Sequence, residues 1–308
     1  MMDSEISIPM KTPQISVSQP IVCHMAVHPP VGLRRVSPGA LIVTPPAPTR
    51  DAAAEPLRYL HAQRTAGQQV KAVILAAGDG GRLGHLTRER PKPLVELAGR
   101  PIIAYTLEAL AAAGIRDVAV ILGYRAAQLG EALAAAPHGL ALSFIYNARF
   151  REGASLSLAA ARHWAGSDPF LLLMADHLLS APILRRLVEA RAAQPAGVSL
   201  VAADAPARWP EDYRDEATRL ALDPERFVTA IGKRIEPYDA LDTGAFLLDP
   251  AAWRAVDAAP ESCELSAIFA RLAAGRTLRA VDIGGAHWYD IDTGADLEAA
   301  EALLAARQ

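Results

Sequence analysis

The chain has 308 residues, a formal net charge of −3 and two cysteines, Cys23 and Cys263. This length suffices for one large or two ordinary domains with a substantial core. The small negative charge gives no electrostatic argument for nucleic-acid binding, and two cysteines form neither a disulfide framework nor a zinc site. No apolar run approaches the roughly 18 residues that span a bilayer. We therefore expect a cytoplasmic protein in a reducing compartment.

Residues 1–68 differ in composition from the rest of the chain. They contain ten of the 23 prolines, including Pro29-Pro30 and Pro45-Pro46-Ala47-Pro48, and show no sustained helical or strand period. Such a segment buries too little apolar surface to fold alone. We predict a disordered N-terminal extension over 1–68 and a single folded domain over 69–308.

The domain begins with an apolar run, residues 70–75, that leads into a glycine-rich loop. The loop contains Gly78, Gly80, Gly81, Arg82 and Gly84, and Lys92 follows between two prolines. Glycines let the backbone approach an anion closely, so that N–H groups converge on phosphate oxygens, and Arg82 and Lys92 would add donors and charge. A tight turn alone also requires glycine, and neither the dinucleotide-binding motif nor the P-loop fits this spacing. The loop therefore indicates either a phosphate-binding site or a tight turn.

From residue 70 onward, strand-like apolar runs alternate with helical patterns. The predicted strands are 71–75, 117–122, 141–146, 170–174 and 198–203, and the predicted helices are 101–113, 125–135, 155–164 and 182–193. Further strand-like segments are 217–223, 227–233, 243–248 and 278–283. This alternation predicts an α/β fold with a mainly parallel sheet. Ligands bind such sheets beyond the carboxyl ends of the strands, so functional residues should follow strands.

Asp176 comes directly after the apolar run 170–174, at the mouth of a predicted buried strand. A carboxylate in this place can bind Mg²⁺, which takes one or two protein carboxylates together with substrate phosphates. The alternative is an aspartate that stabilises a turn. His177 could orient Asp176, contact substrate or have a structural role.

Two further carboxylates, Asp290 and Asp292, precede a predicted C-terminal helix. In a strand they would point to the same face, and either could share a cation with Asp176. Asp292 or Thr293 could instead cap the helix that begins at Gly294.

Two segments between these carboxylates offer groups for a second ligand. Lys233 and Arg234 end a strand-like run, where basic side chains either bind an anion or face solvent. Asp242 is suited to accept hydrogen bonds from hydroxyl groups.

Together these motifs resemble the nucleoside-diphosphate-sugar pyrophosphorylases, or sugar-phosphate nucleotidyltransferases. The family signature is Leu-Ala-Ala-Gly-x-Gly-x-Arg-Leu followed by Pro-Lys-x-Leu, and this chain has Leu75-Ala76-Ala77-Gly78-Asp79-Gly80-Gly81-Arg82-Leu83 and Pro91-Lys92-Pro93-Leu94. Gly81 stands where the family usually has Thr or Ser, which removes a hydroxyl but leaves the backbone donors. The resemblance implies a Rossmann-like three-layer α/β/α fold with a mainly parallel mixed sheet, of the nucleotide-diphospho-sugar transferase type.

The same resemblance implies roles for individual residues. The NTP would be bound by Leu75, Ala76, Ala77, Gly78, Gly80, Gly81, Arg82 and Lys92. Arg82, Lys92 and Asp176 would be catalytic, and the cofactor Mg²⁺ would be held by Asp176 with Asp290 as first choice and Asp292 as second. The acceptor would be bound by Lys233, Asp242, Thr243 and Gly244. Its phosphate would attack the α-phosphorus in line as pyrophosphate leaves, with no general base and no covalent intermediate.

Short segments further resemble one branch of the family, the inositol-1-phosphate cytidylyltransferases. They are 174–177, 215–219, 231–233, 242–246, 264–266 and 290–293, and the resemblance covers nearly all of 70–308. It implies that CTP and inositol 1-phosphate give CDP-inositol and pyrophosphate. Ala175 replaces a glycine, and the loop 153–158 lacks an amide side chain that the branch often has, which leaves the donor base open.

The branch resemblance also bears on partners. Its members are often fused to a membrane phosphatidyltransferase-type domain. Because this sequence contains no apolar run long enough to span a bilayer, we expect a separate membrane CDP-alcohol phosphatidyltransferase to consume the product. Formation of a homo-oligomer is compatible with the sequence.

Other functions compete with this interpretation. The nearest enzymatic alternatives are a phosphocholine or phosphonate cytidylyltransferase and a hexose-1-phosphate enzyme that uses UTP or dTTP. A noncatalytic regulatory relative that binds nucleotide-sugars is a third. That last alternative predicts loss of Arg82, Lys92, Asp176 or Asp290, and all four are present.

Overall fold

One large β-sheet organises the structure, which is a computed structural model describing residues 32–37, 40–44 and 70–305. These residues belong to one compact unit, Val31–Gln308. The strands are β1 (Gly32–Ser37), β2 (Ala40–Thr44), β3 (Lys71–Ala76), β4 (Glu96–Leu97), β5 (Arg100–Pro101), β6 (Asp117–Leu122), β7 (Ala141–Tyr146), β8 (Phe170–Met174), β9 (His177–Leu179), β10 (Ser199–Asp204), β11 (Arg219–Leu222), β12 (Val228–Gly232), β13 (Ala240–Leu248), β14 (Leu278–Asp282) and β15 (Trp288–Asp290).

Helices connect most of these strands. They are α1 (Ile102–Ala112), α2 (Ala126–Ala135), α3 (Ala154–Ala160), α4 (Arg162–Ala165), α5 (Ala181–Arg191), α6 (Glu211–Glu216), α7 (Trp253–Ala258), α8 (Leu265–Ala274) and α9 (Gly294–Ala305). Short 3-10 helices span Gly81–Thr87, Lys92–Leu94, Phe150–Glu152, Pro206–Arg208 and Pro250–Ala252. The helix predicted over 155–164 is divided into α3 and α4 at Ala161, whose N–H donates to the Leu158 carbonyl. Among the described helices, none has both the length and the apolar character needed to cross a bilayer.

The strand order places β3 near the middle of the sheet. The order is β1-β2-β7-β6-β3-β8-β13-β10-β14, with β11 and β12 attached at β13. β3 is parallel to β6 and β8, β6 is parallel to β7, and β10 is parallel to β14. β13 is antiparallel to both of its neighbours, β8 and β10. The mainly parallel mixed sheet expected from the sequence is confirmed.

The two faces of the sheet pack against separate layers of helices. Along β3, Ala72 and Ile74 join one hydrophobic cluster while Val73 joins another, because successive side chains of a strand point to opposite faces. The first cluster contains Leu107 of α1 together with residues of α2 and α5, and the second contains Leu158 of α3 with residues of α8. This arrangement is the expected three-layer α/β/α fold.

Two strands lie within the segment predicted to be a disordered extension. β1 pairs with β2, and β2 pairs antiparallel with β7, so that the Cα atoms of Ile42 and Ile145 are partners. The sequence pattern of 1–68 did not predict them. The rest of that segment lies outside the described residues, and its disorder stays a prediction.

A third hydrophobic cluster fixes the glycine loop to the C-terminal segment. It includes Leu83 from the loop, Leu178 from β9, Ile291 beyond β15 and Ala300 from α9. β9 and β15 form a separate antiparallel pair in which Asp290 lies opposite His177. The glycine loop and Asp290, which lie near opposite ends of the domain sequence, are thereby brought together at the carboxyl end of β8.

Candidate active site

The glycine loop leaves β3 and packs closely against Lys92. Gly80 has φ of 66°, and a Cβ at this position would lie 2.6 Å from Cβ of Lys92. The Thr87 hydroxyl donates to the Gly80 carbonyl at 3.1 Å and stabilises the turn. Glycine is therefore required here by both backbone conformation and side-chain packing. At Gly81 the nearest atom to such a Cβ is Asp79 Oδ1, at 3.7 Å, so space alone does not demand glycine.

Lys92 lies between two carboxylates and is nearly buried, with 9% of its side chain exposed. Its Nζ is 2.8 Å from Asp176 Oδ2 and 2.8 Å from Asp292 Oδ1. Although burial opposes the charge, Asp176 and Asp292 raise the pKa of Lys92 above its usual value. Arg82 Nη1 lies 2.6 Å from Asp292 Oδ2. The structure thus brings together the three side chains predicted to be catalytic, Arg82, Lys92 and Asp176.

Asp176, His177 and Asp290 form a second charged group beside Lys92. His177 Nδ1 lies 2.9 Å from Asp176 Oδ1 and 3.5 Å from Asp290 Oδ1. Burial disfavours the imidazolium, but Asp290 and Asp176 outweigh it and raise the pKa of His177 to about 9. For Asp176, burial is likewise outweighed by Lys92 and His177, which hold its pKa below the usual range. Burial raises the pKa of Asp290 to about 6.

The carboxylates of Asp176 and Asp290 have a geometry that could hold a cation, which His177 could join only as a neutral imidazole, because an imidazolium has no free lone pair. One ligand atom from each of the three residues lies within 4.8 Å of the others. Among the described residues, Asp290 Oδ1 is a buried oxygen that accepts no hydrogen bond. An unsatisfied buried carboxylate oxygen is unfavourable unless a cation or donor meets it. The predicted choice of Asp290 before Asp292 is consistent with this placement.

Asp292 has different partners from Asp290, although both carboxylates line one space of about 660 Å³ at this site, as expected of side chains that share a face. β15 ends at Asp290, and Ile291 is fully buried with its N–H donating to the Asp176 carbonyl at 3.1 Å. The chain therefore leaves the strand geometry before Asp292. The helix is capped instead by Thr293, whose hydroxyl accepts from the Asp296 N–H at 3.3 Å and donates to Asp296 Oδ2 at 2.8 Å.

A cleft of about 560 Å³, here called the loop cleft, runs along the glycine loop. It is lined by Leu75, Ala76, Gly78, Asp79, Gly80, Gly81, Arg82, Lys92, Pro93, Ala175, Asp176, Glu264 and Asp292. Of the residues predicted to bind the NTP, Ala77 alone is not in this lining. It lines an adjoining space of about 660 Å³, which also contacts Asp176, His177, Lys233 and Asp290.

Beyond His177 lies a smaller cavity of about 190 Å³, here called the distal cavity. Its lining is Met174, His177, Tyr213, Glu216, Ala217, Thr218, Lys233, Asp242, Gly244, Phe246, Leu265, Ser266, Phe269, Trp288 and Asp290. Lys233, Asp242 and Gly244 are thus in one place, as the sequence predicted. Burial raises the pKa of Asp242 to about 6, although its Oδ1 accepts from the Gly244 N–H at 2.8 Å.

Thr243 is a correction within this set. Its side chain is fully buried, and its hydroxyl donates to the Ala202 carbonyl of β10 at 3.0 Å. Because strand residues alternate in direction, Asp242 and Gly244 face the distal cavity while Thr243 faces away. Glycine is required at position 244 to leave room for His177, since a Cβ there would lie 2.4 Å from the His177 ring.

Sequence analysis gave no role to several residues of the distal cavity. Tyr213 and Trp288 contribute aromatic walls, and Glu216 contributes a carboxylate. No local pattern distinguished Tyr213 from its neighbours, because α6 is short and meets β15 only through the fold. Glu216 and Ser266 lie in the segments 215–219 and 264–266 that resemble the inositol-1-phosphate branch, and that resemblance was the available signal.

Comparison with known proteins identifies the family. Residues 72–274 match the MobA-like NTP transferase domain. A bifunctional IPC transferase and DIPP synthase of Rubrobacter xylanophilus is 32% identical over 247 residues, which cover 79% of this chain and 54% of that protein. The protein of the same name from Thermococcus kodakarensis is 32% identical over 238 residues, covering 76% and 50%. The chain thus spans about half the length of the curated relatives it matches.

Solved structures agree in fold. The inositol-1-phosphate CTP transferase from T. maritima superimposes with a TM-score of 0.66 at 23% identity, covering 78% of this chain and 96% of that one. A UDP-glucose pyrophosphorylase complexed with UDP-glucose has a TM-score of 0.67 at 16% identity, covering 78% and 99%. Since the family match extends over most of the domain that contains the glycine loop, Lys92 and Asp176, this chain belongs to the MobA-like NTP transferase domain family and is a nucleotidyltransferase.

Proposed function

We propose that this nucleotidyltransferase transfers the cytidylyl group of CTP to inositol 1-phosphate, giving CDP-inositol and pyrophosphate. One observation supports the transfer above all: Lys92 and Asp176 line the loop cleft, and His177, which contacts Asp176, lines the distal cavity, while the adjoining space is lined by residues of both. A triphosphate on the glycine loop and a phosphate near Lys233 would meet at these side chains. Such a site positions two anionic reactants for direct transfer.

The chemistry of the distal cavity supports a polyol acceptor. Asp242 and Glu216 supply carboxylate oxygens, and Thr218 and Ser266 supply hydroxyls. Oxygens of this kind accept hydrogen bonds from a ring that carries several hydroxyl groups. Lys233, at the junction with the adjoining space, supplies the positive charge for the acceptor phosphate.

The relatives support inositol 1-phosphate as the acceptor and also indicate the main alternative function. Three of the similar curated proteins are bifunctional IPC transferases and DIPP synthases. Others are mannose-1-phosphate guanylyltransferases, such as the catalytic subunit beta of Drosophila melanogaster, 28% identical over 233 residues. A hexose 1-phosphate with GTP is therefore the second candidate.

In the proposed reaction, the residues of the chain bind and orient charge. Backbone N–H groups of the glycine loop, with Arg82 and Lys92, would stabilise the negative charge that develops on the departing pyrophosphate. Lys233 would hold the acceptor phosphate, which is already ionised at neutral pH and requires no general base. Asp176 and His177 would fix the geometry between the two phosphates.

The carboxylates also fit a divalent cation. Mg²⁺ prefers oxygen ligands, so we propose that Asp176 and Asp290 would hold it, and the buried Oδ1 of Asp290 supports this choice. When bound, the ion would neutralise phosphate charge and orient the phosphates.

A pyrophosphate-release screen tests the proposal. CTP, UTP, GTP and dTTP would each be combined with inositol 1-phosphate, phosphocholine, a phosphonate, glucose 1-phosphate and mannose 1-phosphate, with Mg²⁺ or with EDTA. We expect turnover with CTP and inositol 1-phosphate and loss of turnover in EDTA. Turnover restricted to a hexose 1-phosphate would reject the inositol assignment. Full turnover in EDTA would reject the proposal that the reaction requires a divalent cation.

The product has a chemical consequence for the cell. A CDP-alcohol is an activated donor for enzymes of the CDP-alcohol phosphatidyltransferase class, and we propose that such a membrane enzyme consumes it. We place the transfer reaction itself on the cytoplasmic side. Both points depend on the product identified by the screen.

A further inference from the structure

Asp204, the last residue of β10, is a buried carboxylate outside the residues considered so far. Its side chain is 1% exposed. Its Oδ2 accepts hydrogen bonds from the indole Nε1 of Trp209 at 2.8 Å and of Trp288 at 2.9 Å. Its Oδ1 accepts from Arg208 Nη1 at 2.7 Å and from the Ala205 N–H at 2.8 Å. Every hydrogen bond of this carboxylate is therefore one in which it accepts.

The two indoles belong to segments that are distant in sequence. Trp209 follows the 3-10 helix Pro206–Arg208, just before α6, and Trp288 is the first residue of β15. Two residues further along β15, Asp290 lies opposite His177 of β9. The Asp204 carboxylate thus connects two segments, the residues just before α6 and the start of β15, to the end of β10.

The indoles in turn belong to a group of four rings in contact, here called the aromatic cluster: Trp209, Tyr213, Trp288 and Tyr289. The Trp209 ring lies 4.2 Å from Tyr213 and 5.0 Å from Trp288, centroid to centroid. The Tyr213 hydroxyl accepts a long hydrogen bond of 3.4 Å from the Asp290 N–H. Two members, Tyr213 and Trp288, form walls of the distal cavity. Contacts therefore run without interruption from Asp204 to that cavity and to the backbone of Asp290.

The ionised carboxyl group is specifically suited to this position. An ionised carboxylate only accepts, whereas an asparagine in its place would turn an NH₂ group toward an indole N–H or a guanidinium. At least one buried donor would then lose its partner, which is unfavourable in a water-excluded site. The Asp204→Asn change keeps the size of the side chain, removes the negative charge that pairs with Arg208 and replaces one acceptor oxygen by a donor.

We propose that Asp204 is a positioning residue for the acceptor: through Trp209 and Trp288 it sets the distance between the Tyr213–Trp288 wall and Asp290. The inference rests on the proposed function in taking the distal cavity as the acceptor pocket. It assigns Asp204 no contact with substrate. The loop cleft receives no contribution from the aromatic cluster, so Asp204 should affect nucleotide binding much less than acceptor binding.

The experiment compares Asp204→Asn with Asp249→Asn. Asp249 is also buried, accepts from Arg191 Nη2 and the Ala251 N–H at 2.9 Å each, and follows β13 at the end of the sheet opposite the site. We expect both variants to have a lower Tm. Only Asp204→Asn should raise the acceptor KM, by about tenfold or more, the size of a lost hydrogen bond to a charged group. The NTP KM should stay within about twofold of wild type in both.

A second pair of variants decides the matter if Asp204→Asn does not fold. Trp209→Phe removes one indole N–H donated to Asp204, and Trp253→Phe is its control because Trp253 Nε1 is buried without a hydrogen-bond partner among the described residues. We expect a raised acceptor KM for Trp209→Phe alone. Acceptor binding should also change the indole emission, and this change should be smaller in Trp209→Phe than in wild type.

The outcomes separate this inference from the proposed function. If wild type does not use inositol 1-phosphate, the proposed function fails, and the same comparison is made with whichever acceptor the screen identifies. If the folded variants Asp204→Asn and Trp209→Phe have a wild-type acceptor KM, Asp204 is only structural and the inference fails. An equal rise in the NTP KM would also reject it.

Discussion

The loop cleft and the distal cavity are built in opposite ways. The loop cleft takes most of its lining from one continuous stretch, residues 75–93, with a few additions from later in the chain. The distal cavity draws on β8, α6, β13, α8 and β15, none of which contributes more than a few side chains. A continuous stretch is positioned by local backbone geometry, while a dispersed set depends on the sheet order. The difference predicts that substitutions in each region affect one substrate and spare the other.

The largest expected effect lies where the two regions meet. Asp176 contacts Lys92 and His177, so Asp176→Asn should impair both substrates. We expect kcat to fall by about 10³-fold, the scale for removing a group that organises charge in a transition state. Steady-state kinetics with each substrate varied would measure it, with Asp249→Asn as the control for a buried aspartate elsewhere. Near wild-type turnover would exclude a role for Asp176 in charge organisation.

A substitution in the loop should affect the nucleotide alone. Gly80→Ala would place a methyl group 2.6 Å from Cβ of Lys92 and displace the lysine. We expect kcat/KM for the NTP to fall by about 10²-fold, as misplacement of a positioning group by about 1 Å does. Gly84→Ala is the control for backbone strain, because Gly84, with φ of 59° and ψ of −115°, is more strained for alanine than Gly80, with 66° and 29°, but has no atom within 4 Å of the added Cβ.

If Gly84→Ala and Gly80→Ala were equally impaired, backbone strain rather than Lys92 would explain the loss. A raised acceptor KM in Gly80→Ala would show that the two regions are less independent than the structure indicates. Binding of the NTP, measured by calorimetry, gives the same comparison without turnover.

A smaller effect is expected in the distal cavity. Lys233→Gln removes a charge from the cavity lining, whereas Arg234→Gln removes one from the next residue, which is outside that lining. We expect the acceptor KM to rise about tenfold for Lys233→Gln, in line with a hydrogen bond to a charged group. Arg234→Gln should resemble wild type. An equal rise in the acceptor KM for both variants would mean that Lys233 acts only as a general surface charge.

The smallest effect should follow Gly81→Thr. The added Cβ has its nearest atom 3.7 Å away, and Gly81 does not have a left-handed φ. We expect the NTP KM to stay within about twofold of wild type, since the restored hydroxyl adds at most one hydrogen bond. A tenfold loss would mean that nucleotide binding requires a closer backbone approach at Gly81 than at neighbouring positions.

The same contrast explains what the sequence could predict. The strands 117–122, 141–146 and 170–174 have the predicted bounds, because each is an apolar run buried on one or both faces. The loop residues and Lys92 came from a local motif. β1 and β2 were missed since prolines dominated the composition of 1–68, although the apolar run 40–44 follows a Pro-Gly turn signal.

Placement in the distal cavity was harder, because it depends on strand direction. We expected functional residues after strands, which holds for Asp176 beyond β8. Asp242 and Gly244 instead lie near the start of β13, since β13 runs antiparallel and brings its first residues to the same edge. The different partners of Asp290 and Asp292 depend on where β15 ends and α9 begins, and neither the strand end nor the helix cap could be located to one residue from the sequence.

The reversal of β13 has a consequence for how this enzyme can change. β10 and β13 are antiparallel neighbours, with Asp204 opposite Leu241. Residues 205–239 therefore connect two adjacent strands, and within this connection β11 and β12 form a hairpin that attaches to the same sheet at β13. The connection carries Trp209, Tyr213, Glu216, Thr218 and Lys233. Connections tolerate insertion and exchange far better than the strands they join. Under the proposed function, exchange of this one connection would change much of the acceptor pocket and leave the glycine loop and its strand β3 as they are.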